Sequence, residues 1–124
     1  MLKLTDVVLD CPDPLKLARF YADLSGSHVA SDSDDDWARV PCGSFNLAFQ
    51  KAPDHQRPRW PDPEKPQQVH IDLEVDDFDA EGRRAVKLGA TLQKNQVGES
   101  GYGFMVYIDP AGHPFCLCRS RPVE

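Results

Sequence analysis

One short run of the sequence brings together side chains that could transfer protons or bind a ligand. Residues 69–75 alternate apolar and polar side chains, a pattern typical of a strand with one buried face. Because strand side chains point to alternate sides, His70, Asp72 and Glu74 share the polar side. The charge of an imidazole changes near neutral pH, so a histidine beside carboxylates can act as an acid or a base. A histidine that only makes a hydrogen bond across a cleft fits the same pattern, and both interpretations stay open here.

A second run near the start of the chain has the same character. Residues 2–10 are rich in apolar and β-branched side chains and are predicted to form a strand. Val7 and Leu9 point to one side of it, and Asp6 and Asp10 point to the other. Unpaired carboxylates are too costly to bury in a dry core, so the polar side must face water, a partner or a cavity.

Each of these two runs is followed by one helix and three short strands. In the first half, Leu17, Phe20, Tyr21 and Leu24 form the apolar stripe of a helix. In the second half, the helix ends at Gly89. The strands after the helices are predicted at about 27–32, 37–41 and 45–50, and near 91–97, 103–109 and 114–119. The repeated order predicts an α+β fold of two βαβββ modules, which are related by a pseudo-twofold axis and form a curved mixed sheet around a cleft.

The two modules are expected to form a single domain, residues 1–124, because the chain is too short for two full-sized domains. Module 1 covers about 1–50 and module 2 about 69–120. Between them, residues 51–68 contain repeated prolines, which exclude a regular helix or a central strand and predict a linker or a long surface loop. Trp60 lies in this segment and either pins the loop to the globule or covers a site as a lid.

The composition narrows the class of partner. The chain has 14 Lys+Arg against 20 Asp+Glu, a net charge of −6, which argues against a nucleic-acid-binding surface. No apolar run approaches the roughly 20 residues needed to cross a bilayer, and the first residues do not resemble a signal peptide. The four cysteines are too sparse for a secreted disulfide scaffold, and we expect them to be reduced. These features predict a cytoplasmic protein without a membrane or nucleic-acid partner.

Several segments match the pattern of a known family. They are residues 10–14 leading into 17–21, then 47–50, 70–77 and 109–115. Together they resemble the vicinal oxygen chelate superfamily, which includes glyoxalase I, bleomycin-resistance proteins, fosfomycin-resistance proteins and extradiol dioxygenases. The sequence looks most like the small glyoxalase-like proteins of that group. The resemblance covers nearly the whole chain apart from the proline-rich segment, and it is specific for the fold rather than for a reaction.

The resemblance also implies where a metal would bind in metal-dependent relatives, which use two positions in each module. Such relatives usually carry His or Gln and then Glu in the first module, and His and then Glu in the second. The corresponding positions here carry Asp6, Asn46, His70 and Cys116, and only His70 agrees with that pattern. Hard divalent ions prefer oxygen and imidazole ligands, so we assign no metal site and no cofactor. A Cys116 thiolate would suit zinc, and binding of a divalent metal stays the less favoured alternative.

The function implied by the resemblance is binding of a small molecule in the cleft, with lyase or isomerase activity. His70 would be the acid or base, and Asp6, facing it across the pseudo-twofold axis, would orient its imidazole. The residues expected to bind the ligand are Asn46, Gln50, Asp72, Glu74 and Cys116. The alternative is a non-catalytic protein of the bleomycin-resistance type that sequesters a ligand or a drug. A homodimer is expected, because many relatives pair modules across subunits.

Overall fold

Residues 1–59 and 61–119 are described by the computed structural model of the chain. They form two units, Met1–Gln56 and Arg57–Glu124. Each unit has one helix packed beside its own mixed sheet, which confirms the predicted α+β class. No helix in these residues is long and apolar enough to span a membrane. Trp60, for which we predicted a role as pin or lid, lies outside the described residues.

The first unit contains a three-stranded sheet and one helix. Its elements are β1 (Asp6–Cys11), α1 (Pro14–Ser25), β2 (Trp37–Cys42) and β3 (Phe45–Lys51). The strand order is β1-β3-β2, with β1 parallel and β2 antiparallel to the central β3. Leu9 and Cys11 are buried on one side of β1, whereas Asp10 is exposed on the other, as the alternating pattern predicted.

Local sequence signals account for the bounds of α1. The Asp13 carboxylate accepts a hydrogen bond from the Lys16 backbone N–H at 3.2 Å, which satisfies one free N–H at the start of the helix. The helix ends at Gly26, whose φ of 74° lies in the left-handed region that glycine adopts without strain. The buried Tyr21 stacks on Phe49 of β3 with ring centroids 5.6 Å apart, so α1 is anchored to the sheet.

The prediction of a strand at 27–32 is wrong, because no strand lies between α1 and β2. Only one backbone bond of the ladder type joins this segment to β2, from the Ala30 N–H to the Arg39 carbonyl at 2.8 Å. Just after it, the Asp34 carboxylate accepts bonds from the backbone N–H groups of Asp36 and Trp37 and closes a tight turn. Aspartate side chains compete in this way with strand pairing. The first unit therefore has the order βαββ rather than βαβββ.

The second unit has the complete βαβββ order that was predicted. Its elements are β4 (Ile71–Glu74), α2 (Phe78–Leu88), β5 (Thr91–Val97), β6 (Gly103–Ile108) and β7 (Pro114–Arg119). The strand order is β4-β7-β6-β5, with β4 parallel to β7 and the other pairs antiparallel. The strand β4 is shorter than the predicted 69–75, and His70 directly precedes it.

The connection between β3 and β4 contains neither helix nor strand in its described part, residues 52–59 and 61–70, which agrees with the proline-rich sequence. Arg57 fixes one end of it within the second unit. Its guanidinium donates a hydrogen bond to the Pro110 carbonyl at 2.8 Å. A side chain at Gly112 would collide with the aliphatic part of Arg57, so this close approach requires glycine there.

The turn between β6 and β7 depends on one buried carboxylate. Asp109 is only 1% exposed, and its Oδ1 accepts hydrogen bonds from the backbone N–H groups of Ala111 and His113 at 2.8 and 2.9 Å. A buried N–H without a partner is costly, so this carboxylate holds the turn that sets β6 against β7.

We expect Asp109→Ala to lower the free energy of unfolding by about 2 kcal/mol, because two N–H groups lose a charged acceptor. Urea denaturation measures this change. Asp109→Asn is the matched control, since its amide oxygen can still accept both bonds and its loss should be clearly smaller. Equal losses in the two variants would contradict this account of the turn.

Candidate functional site

The pairing of β4 with β7 sets the positions of the candidate site residues. In this parallel register, Asp72 lies opposite Cys116 and Glu74 lies opposite Cys118. Their side chains share the face of the sheet opposite to Leu73 and Phe115, because strand side chains alternate. Phe115 is fully buried and stacks beside Tyr107, with centroids 5.7 Å apart. The apolar face thus supplies the core, and the other face is free to carry polar groups.

A cavity of about 870 Å³ covers this polar face. All of its lining residues belong to the second unit: Gln67, His70, Asp72, Gln96, Gly98, Ser100, Tyr102, Gly103, Phe104, Val106, Pro114, Cys116, Cys118 and Arg119. Its size lies within the range typical of small-molecule sites. The lining combines one histidine and one carboxylate with apolar and aromatic surface, which is the usual composition of such sites.

His70 and Asp72 lie beside each other in the cavity. The Nε2 atom of His70 lies 3.4 Å from Oδ1 of Asp72, and the two side chains are 44% and 60% exposed. Solvent screens the attraction between groups that are this open, so the pair adds little to stability. Its chemical value is that the carboxylate orients the imidazole.

The two thiols beside this pair are neutral at physiological pH. Burial raises the pKa of Cys116 to about 11, and the charge of Asp72 and a hydrogen bond to its carboxylate raise it further. Burial also raises the pKa of Cys118 to about 12, with further contributions from the charges of Asp72, Cys116 and Glu74. Because the thiolate is the reactive form, neither cysteine is poised as a nucleophile.

The far wall of the cavity is formed by the connection from β5 to β6 and by the end of β7. The guanidinium carbon of Arg119 lies 5.4 Å from the centroid of the Tyr102 ring, a cation–π contact. Phe104 is 42% exposed and lines this wall of the cavity, so its ring is accessible to a bound molecule. At Gly103, with φ of 135°, a side chain would collide with the Gln96 backbone, so glycine is required in this wall.

The other predicted site residues lie in the first unit. Asp6 of β1 lies opposite Asn46 of β3 in the parallel ladder. The Asn46 amide donates a hydrogen bond to Oδ1 of Asp6 at 3.0 Å. Gln50 lies opposite Asp10 in the same ladder, and both are exposed. The role predicted for Asp6 in orienting His70 stays a prediction, as does the ligand-binding role of Asn46 and Gln50.

The structure brings three of the predicted residues together and adds others that were missed. His70, Asp72 and Cys116 line the same cavity. Glu74 lies two residues after Asp72 on the same face of β4, and its ligand-binding role stays a prediction. Sequence reasoning assigned no role to Cys118, Tyr102, Phe104 or Arg119. Cys116 and Cys118 are two residues apart, a spacing that puts both side chains on one side of a strand, but nothing in the sequence indicated which strand lies next to it.

The donor atoms do not fit the hard divalent metal that the family resemblance implies. Two of the four implied positions carry Asp6 and Asn46, which are hydrogen-bonded to each other. The other two carry His70 and a buried thiol, Cys116. Amide and thiol groups are poor ligands for magnesium or manganese, which prefer carboxylate and water oxygens.

Comparisons with known proteins identify the fold. The model of a glyoxalase-like domain family matches residues 6–118. Similar solved structures include a glyoxalase/bleomycin resistance protein/dioxygenase family enzyme from Burkholderia phytofirmans PsJN, at 16% identity and TM-score 0.76, covering 95% of this chain and 98% of that one. Another is the fosfomycin resistance protein FosX from Mesorhizobium loti, at 16% identity and TM-score 0.69, covering 98% and 94%.

A third similar structure is lactoylglutathione lyase from Agrobacterium tumefaciens, at 18% identity and TM-score 0.66, covering 97% of this chain and 95% of that one. Likeness at these identities establishes the fold and leaves the reaction open. No curated protein matches the chain in sequence.

We expect Asp72→Asn to increase the alkylation rate of Cys116 and Cys118 at neutral pH by roughly tenfold, the effect of lowering a thiol pKa by about one unit. The reason is that the carboxylate both repels the thiolate and accepts a bond from the thiol. Iodoacetamide labelling followed by peptide mass spectrometry measures each site. Asp76→Asn removes the same charge from an exposed position after β4 and should leave both rates unchanged. Equal rates in the wild-type chain and Asp72→Asn would refute the assigned cause.

The same thiols predict how stability depends on pH. The folded chain raises the pKa of both groups above the ordinary thiol value of 9.0. Below pH 9.0 both thiols are protonated in the folded and in the unfolded chain, so their full contribution to the free energy of unfolding is present. Above it, the unfolded chain releases protons that the folded chain retains, so the free energy of unfolding falls as pH rises towards the folded pKa values. Urea denaturation above and below pH about 9 should show this fall, and Cys118→Ala should make it less steep.

Proposed function

This chain belongs to the glyoxalase-like domain family, and on that premise we propose that its second unit binds a small organic molecule and acts on it as a lyase or an isomerase. The observation that carries the proposal is the cavity of about 870 Å³ in which the His70–Asp72 pair lies beside aromatic surface. A cavity of this kind, with a few polar groups converging on mostly apolar walls, is the usual form of a small-molecule site.

His70 is the group proposed to move the proton. Its side chain is 44% exposed within a cavity, so a bound molecule can reach the imidazole. Asp72 orients the ring from 3.4 Å and stabilises the imidazolium that forms when the ring accepts a proton. Asp6 is proposed as a second orienting carboxylate. Because the pKa values of Cys116 and Cys118 are raised, the thiols donate hydrogen bonds and leave proton transfer to the imidazole.

The walls of the cavity suggest a ligand that is partly apolar and carries a polar or anionic group. Phe104 and Val106 offer apolar contact, and Tyr102 offers a ring face. Arg119 presents a charged fork that suits a carboxylate or a phosphate. Asp72 and Cys116 also line the cavity, and we propose that they contact the ligand. We also propose that the ligand contacts Asn46, Gln50 and Glu74.

A non-catalytic role is the second candidate, and the exposure of Phe104 favours it. An exposed aromatic side chain in a cavity can hold an apolar ligand or drug without any chemical step, as a sequestering protein of the bleomycin-resistance type does. A homodimer in the cytoplasm is part of either proposal. The four cysteines, all within the described residues, are thiols rather than disulfides, which suits a reducing compartment.

The two candidates are distinguished by replacing His70. The probe is an aryl-substituted 2-oxo acid such as phenylpyruvate, which offers an aromatic ring, a carboxylate and an exchangeable C–H. We expect His70→Ala to reduce enzyme-dependent deuterium exchange at that carbon by at least about 100-fold, the usual contribution of a general base, and to leave affinity within a few-fold. Phe104→Ala should weaken affinity by about tenfold through loss of apolar contact.

Proton NMR measures the exchange, and isothermal titration measures the affinity. His28→Ala is the matched control, since it removes an exposed histidine from the first unit and should change neither quantity. Binding without exchange in the wild-type chain would favour the sequestering protein. A panel of aromatic and anionic compounds that gives neither binding nor a shift in melting temperature would reject both candidates, because a ligand of the native state raises apparent stability.

A further inference from the structure

A second cavity of the second unit lies on the other side of the sheet from the one that holds His70. Side chains alternate along β6, so Phe104 and Val106 line the first cavity while Met105 and Tyr107 line the second. The second cavity is a groove of about 310 Å³, at the lower end of the range for small-molecule sites. The two cavities share no lining residue among those that the structure describes.

The walls of this groove are mostly apolar. They are formed by one side of α2 from Phe78 to Val86, by Leu92 of β5, and by Met105 and Tyr107 of β6, and we call the space between them the helix-side groove. Val86 and Leu92 are exposed, so a molecule can enter from solvent, whereas Met105 is buried. Walls of this kind bind the hydrocarbon part of a ligand.

The Tyr107 hydroxyl is a polar group that this groove leaves without a partner. Tyr107 is only 2% exposed, and its ring stacks beside Phe115 of β7. Its hydroxyl makes no hydrogen bond to any residue that the structure describes. A side chain at Gly82 would collide with this hydroxyl, so the hydroxyl lies against α2, where the groove is. A polar group so deeply placed needs a hydrogen-bond partner, and a molecule in the groove can supply it.

Two opposite charges also line the helix-side groove. They belong to Asp79 and Arg83 of α2, so the pair favours a neutral ligand over an ion of either sign. Burial raises the pKa of Tyr107 above its ordinary value of 10.0, and the charge of Asp79 raises it further. The hydroxyl therefore keeps its proton at neutral pH and can donate it to a ligand, while the Asp79 carboxylate can accept a hydrogen bond.

We propose that the helix-side groove binds a small neutral aromatic alcohol. The ligand oxygen accepts the hydrogen bond of Tyr107, and its own O–H donates to Asp79, because one hydroxyl is both an acceptor and a donor. Its ring packs between Phe78 and Met105, two side chains that make favourable contacts with aromatic rings. This site goes beyond the proposed function, since it lies on the other face of the sheet and does not include His70.

The experiment is a titration of the full chain with benzyl alcohol, followed by proton–nitrogen correlation NMR. We expect saturable shifts of the backbone amides of α2, β5 and β6, with a dissociation constant of about 1 mM or tighter. Tyr107→Phe keeps the ring and should weaken benzyl alcohol binding by about fivefold, the usual effect of one neutral hydrogen bond. The same variant should bind toluene, which has no hydroxyl, as well as the wild-type chain does.

Leu92→Ala should weaken the binding of both probes, because it removes part of the apolar wall. Leu4→Ala is the matched control, since it removes an exposed leucine from the first unit and should change neither affinity. Circular dichroism establishes that each variant is folded. Tyr107→Phe should also leave phenylpyruvate binding unchanged, so the helix-side groove and the proposed function are tested separately.

Three results overturn the helix-side groove as a ligand site. The first is the absence of saturable shifts at millimolar benzyl alcohol, or shifts confined to the amides around His70 and Cys116. The second is a Tyr107→Phe variant that binds benzyl alcohol as well as the wild-type chain does, or that loses both probes equally. The third is a shift of the α2 amides with protein concentration alone, which would mean that a second copy of the chain covers the groove.

Discussion

The parallel pairing of β4 with β7 is the constraint on which the candidate site depends. Its register sets Asp72 opposite Cys116, and the alternation of side chains then separates a polar face from an apolar one. The apolar face is committed to the core through Phe115 and Leu117, both almost fully buried. A slip of one residue would exchange the two faces, burying carboxylates and exposing the core, and the cost of that exchange is what keeps the polar groups in the cavity.

The chemistry of the cavity follows from a balance between desolvation and charge. Burial disfavours the thiolate form of Cys116, and the neighbouring Asp72 carboxylate disfavours it further, so the pKa of this thiol is raised. The same carboxylate lies 3.4 Å from the Nε2 atom of the more exposed His70 and orients its imidazole.

In both units, the helix ends are set by residues close in sequence, whereas the strand pairing depends on tertiary contacts. Asp13 and Asp77 cap the two helices in the same way, each accepting a bond from a backbone N–H three residues later. These caps were predictable from the sequence, because they involve neighbours along the chain. The segment 27–32 was predicted to be a strand and is not. The run that follows it forms a turn in which the Asp34 carboxylate accepts hydrogen bonds from the backbone N–H groups of Asp36 and Trp37.

The sequence by itself determined the order of the elements in the second unit, the polar side that carries His70 and Asp72, and the family to which the chain belongs. These depend on spacing and on turn residues, which are local properties. Only the tertiary structure decided that β7 lies beside β4, and hence that Cys118, Tyr102, Phe104 and Arg119 share a cavity with His70. Strand partners distant in sequence are chosen by the packing of the whole unit, and the protonation of a thiol depends on how far that packing removes it from water.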